Sequence, residues 1–272
     1  MRSGIIAHCG TRTRRLISLD CELGAVGPPP AGRGCDDRTD GPPIGGRAMV
    51  SDVSGLAAAS MAQAAAHAVR EGIIEGRYPP GSRLRERDLS ESLQMSRIPI
   101  REALRQLEVE GFVVTSPNRG AVVSQLTLAD VAELFDLRLS LEVLAARQAA
   151  LAVAQGRAGE RLREITAAAL HATRSADPVA IRQVNTAFHA EIVAMTGNTL
   201  LVSTMAPILG RIRWVFALTA DRDPEVEYGE HRTLCDAIYD GNSLLAGALA
   251  LAHVEHGRAP SLTGLANVLP PS

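Results

Sequence analysis

The sequence lacks the features of several common classes of protein. Its 28 Lys and Arg residues are all arginine, its formal net charge is −2, and only 3% of its residues are aromatic. The chain as a whole therefore creates no basic field for nucleic acid, and any such surface has to be local. We find no apolar run of the roughly 18 residues that a membrane span needs, and no signal peptide at the start. These absences argue against a membrane or exported protein and favour one in the cytoplasm.

Cysteine is also scarce and poorly spaced for structural chemistry. Three of the four cysteines stand at Cys9, Cys21 and Cys35, without a CxxC pair. The sequence therefore predicts neither a disulfide scaffold nor a zinc knuckle. The surrounding residues 1–54 are rich in Gly and Pro without a period, which predicts disorder. Two alternatives stay open: an upstream extension whose true start is Met49 or Met61, and a basic arm that binds DNA.

Periodic apolar positions begin at about residue 55. Their helical spacing predicts helices over about 56–73, 85–93 and 98–111. Two short β-branched pieces follow, at 112–115 and 121–123, separated by a turn with Pro, Asn and Gly. Three helices and a hairpin make a winged helix-turn-helix, so the sequence predicts a DNA-binding domain over residues 55–125.

The start of the third predicted helix is rich in arginine. A helix in the major groove reads base edges with residues near its N-terminus. A glycine at the tip of the hairpin would allow close approach to the DNA backbone. The alternative is a set of ordinary surface arginines, in a sequence that uses arginine for every permanent positive charge. The candidate DNA contacts are Arg87, Ser96, Arg97, Ile98, Pro99, Arg101, Arg105, Arg119 and Gly120.

The pattern after residue 125 is helical to the end of the chain. Thr127 and Asp130 resemble a capping box, and Asp177 followed by Pro178 gives an N-cap and a proline at the first helical position. The sequence predicts an antiparallel bundle of about six helices over residues 126–258, followed by a loose tail at 259–272. The fold class is therefore mainly α, with a winged helix-turn-helix followed by an all-α bundle.

Three histidines of the predicted bundle each lie on a separate helix: His189, His231 and His253. Asn185 precedes His189 by one turn and lies on the same face. Imidazoles that point inward from three helices can form three corners of a metal site. A histidine on a helix is also commonly a surface residue or a hydrogen-bonded core residue, and the spacing alone does not separate these alternatives.

The first half of the chain resembles a known family of regulators. The stretch PGSRLRERDLSESLQMSRIPIREALRQLEVEGFV and the wing PNRGAVV closely resemble the DNA-binding domain of GntR-family transcription regulators. The resemblance implies that Arg87, Ser96, Arg97, Arg101 and Gly120 occupy the positions that touch operator DNA. It also implies a homodimer that binds an inverted repeat.

The second half resembles the FCD ligand-binding domain of the FadR-type GntR regulators. The segments FDLRLSLEVLAARQAA, NTAFHAEIVAMTGN and EHRTLCDAIYDGN carry this resemblance. It implies a divalent metal ion, Zn, Ni or Mn, held by Asn185, His189, His231 and His253. The family usually has Asp where this chain has Asn185, and the loss of that carboxylate weakens the expected site.

Arg138 lies one turn before Glu142 in the segment RLSLE. One interpretation is an ion pair within the helix. The other is that Arg138 binds a carboxylate effector through two hydrogen bonds, which the matching FCD position supports. Arg211 and Arg213 flank Trp214 and are further candidates for the lining of the same cavity.

Together these features predict a cytoplasmic, ligand-responsive transcription regulator with a small carboxylate as its effector. The resemblance to the GntR family implies repression as its mode of action. One alternative is an architectural DNA binder whose bundle only dimerises. Another is a metal-dependent hydrolase, which the sequence disfavours because it has no HExxH or GxSxG motif. We expect no enzymatic activity and no membrane association.

Overall fold

The structure, a computed structural model, describes residues 50–116, 119–157, 159–219 and 223–272, with side chains from residue 60 onward. The prediction for residues 1–49 lies outside the described residues, as does part of the hairpin turn. Residues 50–54, which the sequence analysis assigned to the N-terminal extension, belong to the first helix. That helix begins earlier than its apolar periodicity indicated.

The N-terminal domain is a winged helix-turn-helix, as predicted. Its three helices are α1 (Val50–Ile74), α2 (Glu86–Leu93) and α3 (Arg97–Val109). The strands β1 (Val113–Ser116) and β2 (Gly120–Val123) pair antiparallel. Gly111 has a φ of +81°, a conformation that favours glycine, and it turns the chain from α3 into β1.

The C-terminal domain is a bundle of six helices among the residues described. The last four of these helices each begin at an Asp or Asn side chain that accepts hydrogen bonds from the first turn. The helices are α4 (Leu128–Ala154), α5 (Arg161–Ser175), α6 (Pro178–Met195), α7 (Thr199–Leu218), α8 (Pro224–Tyr239) and α9 (Ser243–Leu265).

The helix starts that the sequence indicated are present. Thr127 and Asp130 form a reciprocal capping box at the start of α4. The side chain of Asp177 accepts hydrogen bonds from the first turn of α6, with Pro178 at the first helical position. These contacts satisfy backbone N–H groups that have no partner within their own helix.

The last part of the chain differs from the predicted loose tail. Helix α9 continues to Leu265, past Pro260, and Leu265 is fully buried. The carbonyl oxygens of Pro270 and Pro271 then accept hydrogen bonds from the first two amides of α4, at 2.8 and 3.2 Å. The end of the chain is held in place because it caps a helix of the bundle.

One helix in the described part of the chain, α7, has the length and the mean hydropathy of a membrane span, 1.3 over its best window. It also contains Arg211, whose guanidinium lies 3.6 Å from the Asp130 carboxylate, and the buried Trp214. The helix packs against α6 and α4. Length and composition alone are weak evidence for a span.

Candidate metal and ligand site and DNA-facing surface

Three imidazoles meet in the interior of the bundle. His189 on α6, His231 on α8 and His253 on α9 are at most 6% exposed, and each offers a nitrogen within 4.8 Å of the other two. The Nε2 atoms of His231 and His253 are 3.2 Å apart. The sequence predicted the three residues, and the crossing of the three helices brings their side chains together.

This spacing fits a shared metal ion. Two imidazole nitrogens bound to one Zn²⁺ at about 2.0–2.1 Å and at a tetrahedral angle lie about 3.3 Å apart. Beside the histidines is a cavity of about 10 Å³, lined in part by His189 and His253. A space of roughly 10–15 Å³ holds one water-sized particle. The residues present therefore fit a single divalent ion.

Carboxylates fix the orientation of two of the rings. Glu142 Oε2 lies 2.9 Å from His189 Nδ1, and Glu230 Oε2 lies 2.7 Å from His253 Nδ1. Such contacts with Nδ1 are the usual outer partners of metal-binding histidines, because they direct Nε2 at the ion. His231 is oriented in another way, by stacking on the Phe188 ring with centroids 4.2 Å apart.

The predicted fourth ligand has a different contact. Asn185 is half-buried on α6, and its side-chain nitrogen donates a 2.6 Å hydrogen bond to Glu227 Oε2 on α8. Glu227 is itself 6% exposed and lies one turn before His231. Only the carbonyl oxygen of Asn185 could act as a ligand, because a neutral amide nitrogen is a hydrogen-bond donor without a free lone pair.

Arg138 and Glu142 form an ion pair in the core. Arg138 is fully buried, and its Nε donates to Glu142 Oε1 at 2.5 Å. Burial by itself would raise the pKa of Glu142, but the charges and hydrogen bonds of Arg138 and His189 outweigh it and hold that pKa well below 4.5. Because Arg138 is fully buried, the interpretation as a surface ion pair is excluded. Its guanidinium lies over the Phe135 and Phe216 rings, 5.3 and 5.6 Å from their centroids.

A second pocket of the bundle has a volume of about 210 Å³ and is lined in part by Asn185 and Glu227, which lie one turn before His189 and His231 on their helices. Arg138 does not line it, whereas Arg182 and Arg213 do. Arg182 has no carboxylate within 4.0 Å among the residues described. The lining combines these two arginines with an apolar wall: Pro178, Ile181, Phe216, Ala217 and Pro224, together with Asn185, Thr186, Thr219 and Glu227.

Sequence reasoning missed several residues of this site. Glu230 directly precedes His231, and Glu227 lies one turn before it, so both positions were visible as acidic neighbours of a candidate ligand. Which neighbours face the ligands depends on how α8 is rotated against α6 and α9. Arg182 carried no signal in a sequence with so many arginines.

The DNA-facing surface is exposed at most of the predicted positions. The exposed residues among the predicted DNA contacts are Arg87, Ser96, Arg97, Ile98, Arg101, Arg105, Arg119 and Gly120. Gly120 has a φ of +72°, which suits glycine at the tip of the wing. The Ser96 side chain makes no capping hydrogen bond to α3, so its hydroxyl is not used by the helix.

Pro99 is a correction to the predicted set. It is buried on the inner face of α3, next to Ile100, and does not belong to the exposed surface. Residues at successive positions of a helix point 100° apart, so a short run of candidates cannot all face the same way. Pro99 instead fixes the backbone at the start of the helix.

Two arginines of this surface, Arg101 and Arg105, are paired with acids. Arg101 Nε and Nη2 donate to both oxygens of Glu86, at 3.0 and 2.9 Å, and this contact lowers the pKa of Glu86. Arg105 pairs with Glu102 at 2.7 Å. These pairs are exposed, and such pairs are worth only about 0–1 kcal/mol. Breaking either pair therefore costs little free energy.

A winged helix-turn-helix joined to a separate helical bundle is typical of a DNA-binding transcription regulator. Residues 61–123 match the family described as bacterial regulatory proteins, gntR family, and residues 133–256 match the FCD domain. The chain belongs to the GntR family of transcription regulators and has an FCD domain.

Individual relatives agree with this assignment. The HTH-type transcriptional regulator YdhC of Bacillus subtilis is 29% identical over 197 residues, which cover 69% of this chain and 85% of that protein. A protein of Paenarthrobacter nicotinovorans, named as a D-xylose utilization operon transcriptional repressor, is 28% identical over 67% of this chain and 80% of its own. A GntR regulator structure from Rhodococcus sp. RHA1 is 25% identical with a TM-score of 0.63, covering 75% of this chain and 98% of that one. These relatives are regulators and not enzymes, so the hydrolase alternative is dropped.

Proposed function

We propose that this regulator binds a divalent metal ion through its histidine cluster and a small carboxylate in the adjoining pocket, and that the carboxylate changes its affinity for DNA. The observation that supports this most is the convergence of His189, His231 and His253 with carboxylates behind two of the rings. An ion bound there would offer open coordination positions to a carboxylate oxygen. We keep the carbonyl oxygen of Asn185 as the fourth protein ligand, and Zn, Ni and Mn as the candidate ions.

The proposed effector is an organic acid with an apolar part. Arg182 provides a positive charge without a carboxylate partner among the described residues, and Ile181 and Phe216 provide apolar contact. Arginine binds carboxylates through two parallel hydrogen bonds. The sequence indicated Arg138 as the effector contact. In our proposal Arg138 instead positions Glu142, with which it forms an ion pair.

The proposed DNA-binding domain covers residues 50–125, and the proposed effector and dimerisation domain covers 126–272, because α1 begins at Val50 and the residues after 258 pack into the bundle. The exposed residues at the start of α3 and at the wing tip would contact an operator. Because GntR relatives include a protein named as a repressor, we propose repression as the mode of action. The cytoplasm is the proposed location, since the DNA is there.

The proposed partner is a second copy of the chain, so that the operator is an inverted repeat. Helix α4 supports this: Leu137, Leu144 and Leu151 follow each other at seven-residue intervals and are 41–48% exposed. Residues at this spacing lie on one face of a helix and form an apolar stripe. Exposed apolar stripes of this kind are typical of helix–helix interfaces.

Metal analysis of the purified protein tests the first part of the proposal. We expect about one Zn, Ni or Mn ion per chain, lost in His189→Ala and retained in His171→Ala, which changes an exposed histidine on α5. Equal metal content in both variants would mean that the ion binds elsewhere.

Operator binding tests the second part. The affinity of the metal-loaded protein for its operator is measured with and without acetate, benzoate and succinate. We expect at least one acid to change the affinity, and we expect Arg182→Met to abolish the response without a change in the metal content. An affinity that no acid alters would instead favour an architectural DNA binder.

A further inference from the structure

Arg213 takes part in two features of the molecule at once. It lines the 210 Å³ pocket of the bundle, and its guanidinium binds Glu71 on α1 of the DNA-binding domain. The contact is two-pronged, with Nη1 2.6 Å from Oε1 and Nη2 on Oε2. Both side chains are mostly shielded, with exposures of 19% and 17%. The pocket therefore has a cation whose partner belongs to the other domain.

The helix that carries Glu71 is joined to the recognition helix. The neighbouring residue Arg70 binds Glu110, at the end of α3, with Nε 2.9 Å from Oε2. The apolar residues of α1 and α3 also share the buried core of the domain. A change at Glu71 thus acts on a helix that positions α3.

We propose that a carboxylate bound in the pocket takes the place of Glu71 on Arg213, so that the effector releases α1 from the bundle. This inference rests on the proposed function of the pocket. The exchange keeps Arg213 paired, because a ligand carboxylate offers the same two oxygens as Glu71. Glu71 is then left without its guanidinium partner in a mostly shielded position, which favours movement of α1 towards solvent.

Arg182 and Arg213 have different tasks in this scheme. Arg182 has no carboxylate neighbour among the described residues, so it attracts the acid and contributes affinity. Arg213 already has a partner, so its contact with the acid is coupled to the domain interface. A ligand with differential affinity for two arrangements shifts their populations, and the competing Glu71 supplies that difference here.

The test compares Glu71→Gln with Glu75→Gln. Glu75 lies just after α1, is more than half exposed and pairs only with Arg77 on the surface in the described structure. Benzoate and succinate are titrated into the metal-loaded full chain by calorimetry, and the emission of Trp214, the single tryptophan of the sequence, reports on the neighbouring interface. Operator affinity is measured in parallel.

We expect Glu71→Gln to bind the acid roughly fivefold more tightly than wild type, because the competing carboxylate is gone; this corresponds to about 1 kcal/mol. Its Trp214 emission and operator affinity without acid should resemble those of acid-saturated wild type, and Glu75→Gln should behave as wild type. If an acid binds and changes operator affinity equally in wild type and Glu71→Gln, the exchange is wrong and the acid pocket stands. If no acid binds any variant, both the exchange and the proposed function of the pocket are wrong.

Discussion

The indole ring of Trp214, on α7 of the bundle, stacks on the ring of Phe112 in the DNA-binding domain, with centroids 5.4 Å apart and planes inclined by 22°. Both side chains are essentially inaccessible to solvent. The backbone of Gly210, one turn before Trp214, approaches the Phe112 ring closely enough that an added Cβ would lie 3.4 Å from it. The two domains therefore share part of their core.

Loss of this stack should destabilise the whole molecule. We expect Trp214→Ala to lower the free energy of unfolding by about 3–5 kcal/mol, the range for removal of a large buried aromatic side chain. Leu200→Ala, at a position 74% exposed on the same helix, should change it by less than about 0.5 kcal/mol. Urea denaturation followed by circular dichroism measures both. Equal stability of the two variants would show that the ring stack contributes nothing.

The hydrogen bond from Asn185 to Glu227 predicts the effect of restoring an acid at position 185. Asn185→Asp removes the donor and places two carboxylates together, which costs about 1–3 kcal/mol in the metal-free protein. Added Zn²⁺ should reverse this loss, and the double change Asn185→Asp with Glu227→Gln should bind Zn²⁺ more tightly than wild type. Thermal denaturation with and without metal, and competition with a chelator, are the measurements. An Asn185→Asp protein as stable as wild type without metal would contradict the contact.

The buried pair Arg138–Glu142 predicts a pH dependence of the metal-free protein. The pKa of Glu142 is lower in the folded state than its ordinary value of 4.5, so its ionised form stabilises the fold fully above that pH. The contribution is lost as the pH falls further towards the folded-state pKa. Glu142→Gln should cost about 3–5 kcal/mol at pH 7, because Arg138 stays buried without its partner.

The difference in stability between wild type and Glu142→Gln should therefore shrink in acid. Glu164→Gln is the control, since this carboxylate on α5 is exposed and its contact with Arg161 is long, at 3.9 Å. Urea denaturation at pH 7 and pH 3.5 gives both numbers. A difference that stays constant between the two pH values would mean that Glu142 is not ionised in the folded protein.

Arg101 at the start of α3 should determine operator affinity. Arg101→Ala is expected to lose about 1–3 kcal/mol of specific binding, the usual value for a base-reading arginine. Arg161→Ala, which removes an exposed arginine of α5 in the bundle, should leave binding unchanged. Gel-shift titrations at one fixed salt concentration compare them. If Arg101→Ala binds the operator as tightly as wild type, Arg101 does not read a base and another residue does.

The leucine stripe of α4 should hold the dimer together. Leu144→Glu places a charge on the middle of the stripe, and we expect monomers, because a carboxylate is costly to bury without a partner. Leu200→Glu puts the same charge on an exposed leucine outside the stripe and should leave the assembly intact. Sedimentation equilibrium distinguishes the two states. Dimers in both variants would exclude the α4 face as the interface.

The helices were predictable where local signals are strong. The ends of α7 and α8 agree with the apolar period and the turn residues, and the capping box at Thr127 and Asp130 is present as expected. The end of α9 was not predictable, because Pro260 is a helix-breaking signal by itself. Packing of Leu265 and the caps that Pro270 and Pro271 supply to α4 outweigh that local preference.

The sequence by itself determined the order of the elements, because caps, turns and apolar periods act over a few residues. It also determined which ligand atoms are available to the site, because the imidazole nitrogens of histidine are recognisable from the residue type alone. Only the tertiary structure decided which polar groups meet. Asn185 donates a hydrogen bond to Glu227, and Arg138 forms an ion pair with Glu142. Arg213 of the bundle forms an ion pair with Glu71 of the DNA-binding domain. Such contacts depend on the rotation of each helix about its axis and on the crossing of helices up to 142 positions apart in the chain. No local pattern encodes either quantity, since both follow from how the whole core packs.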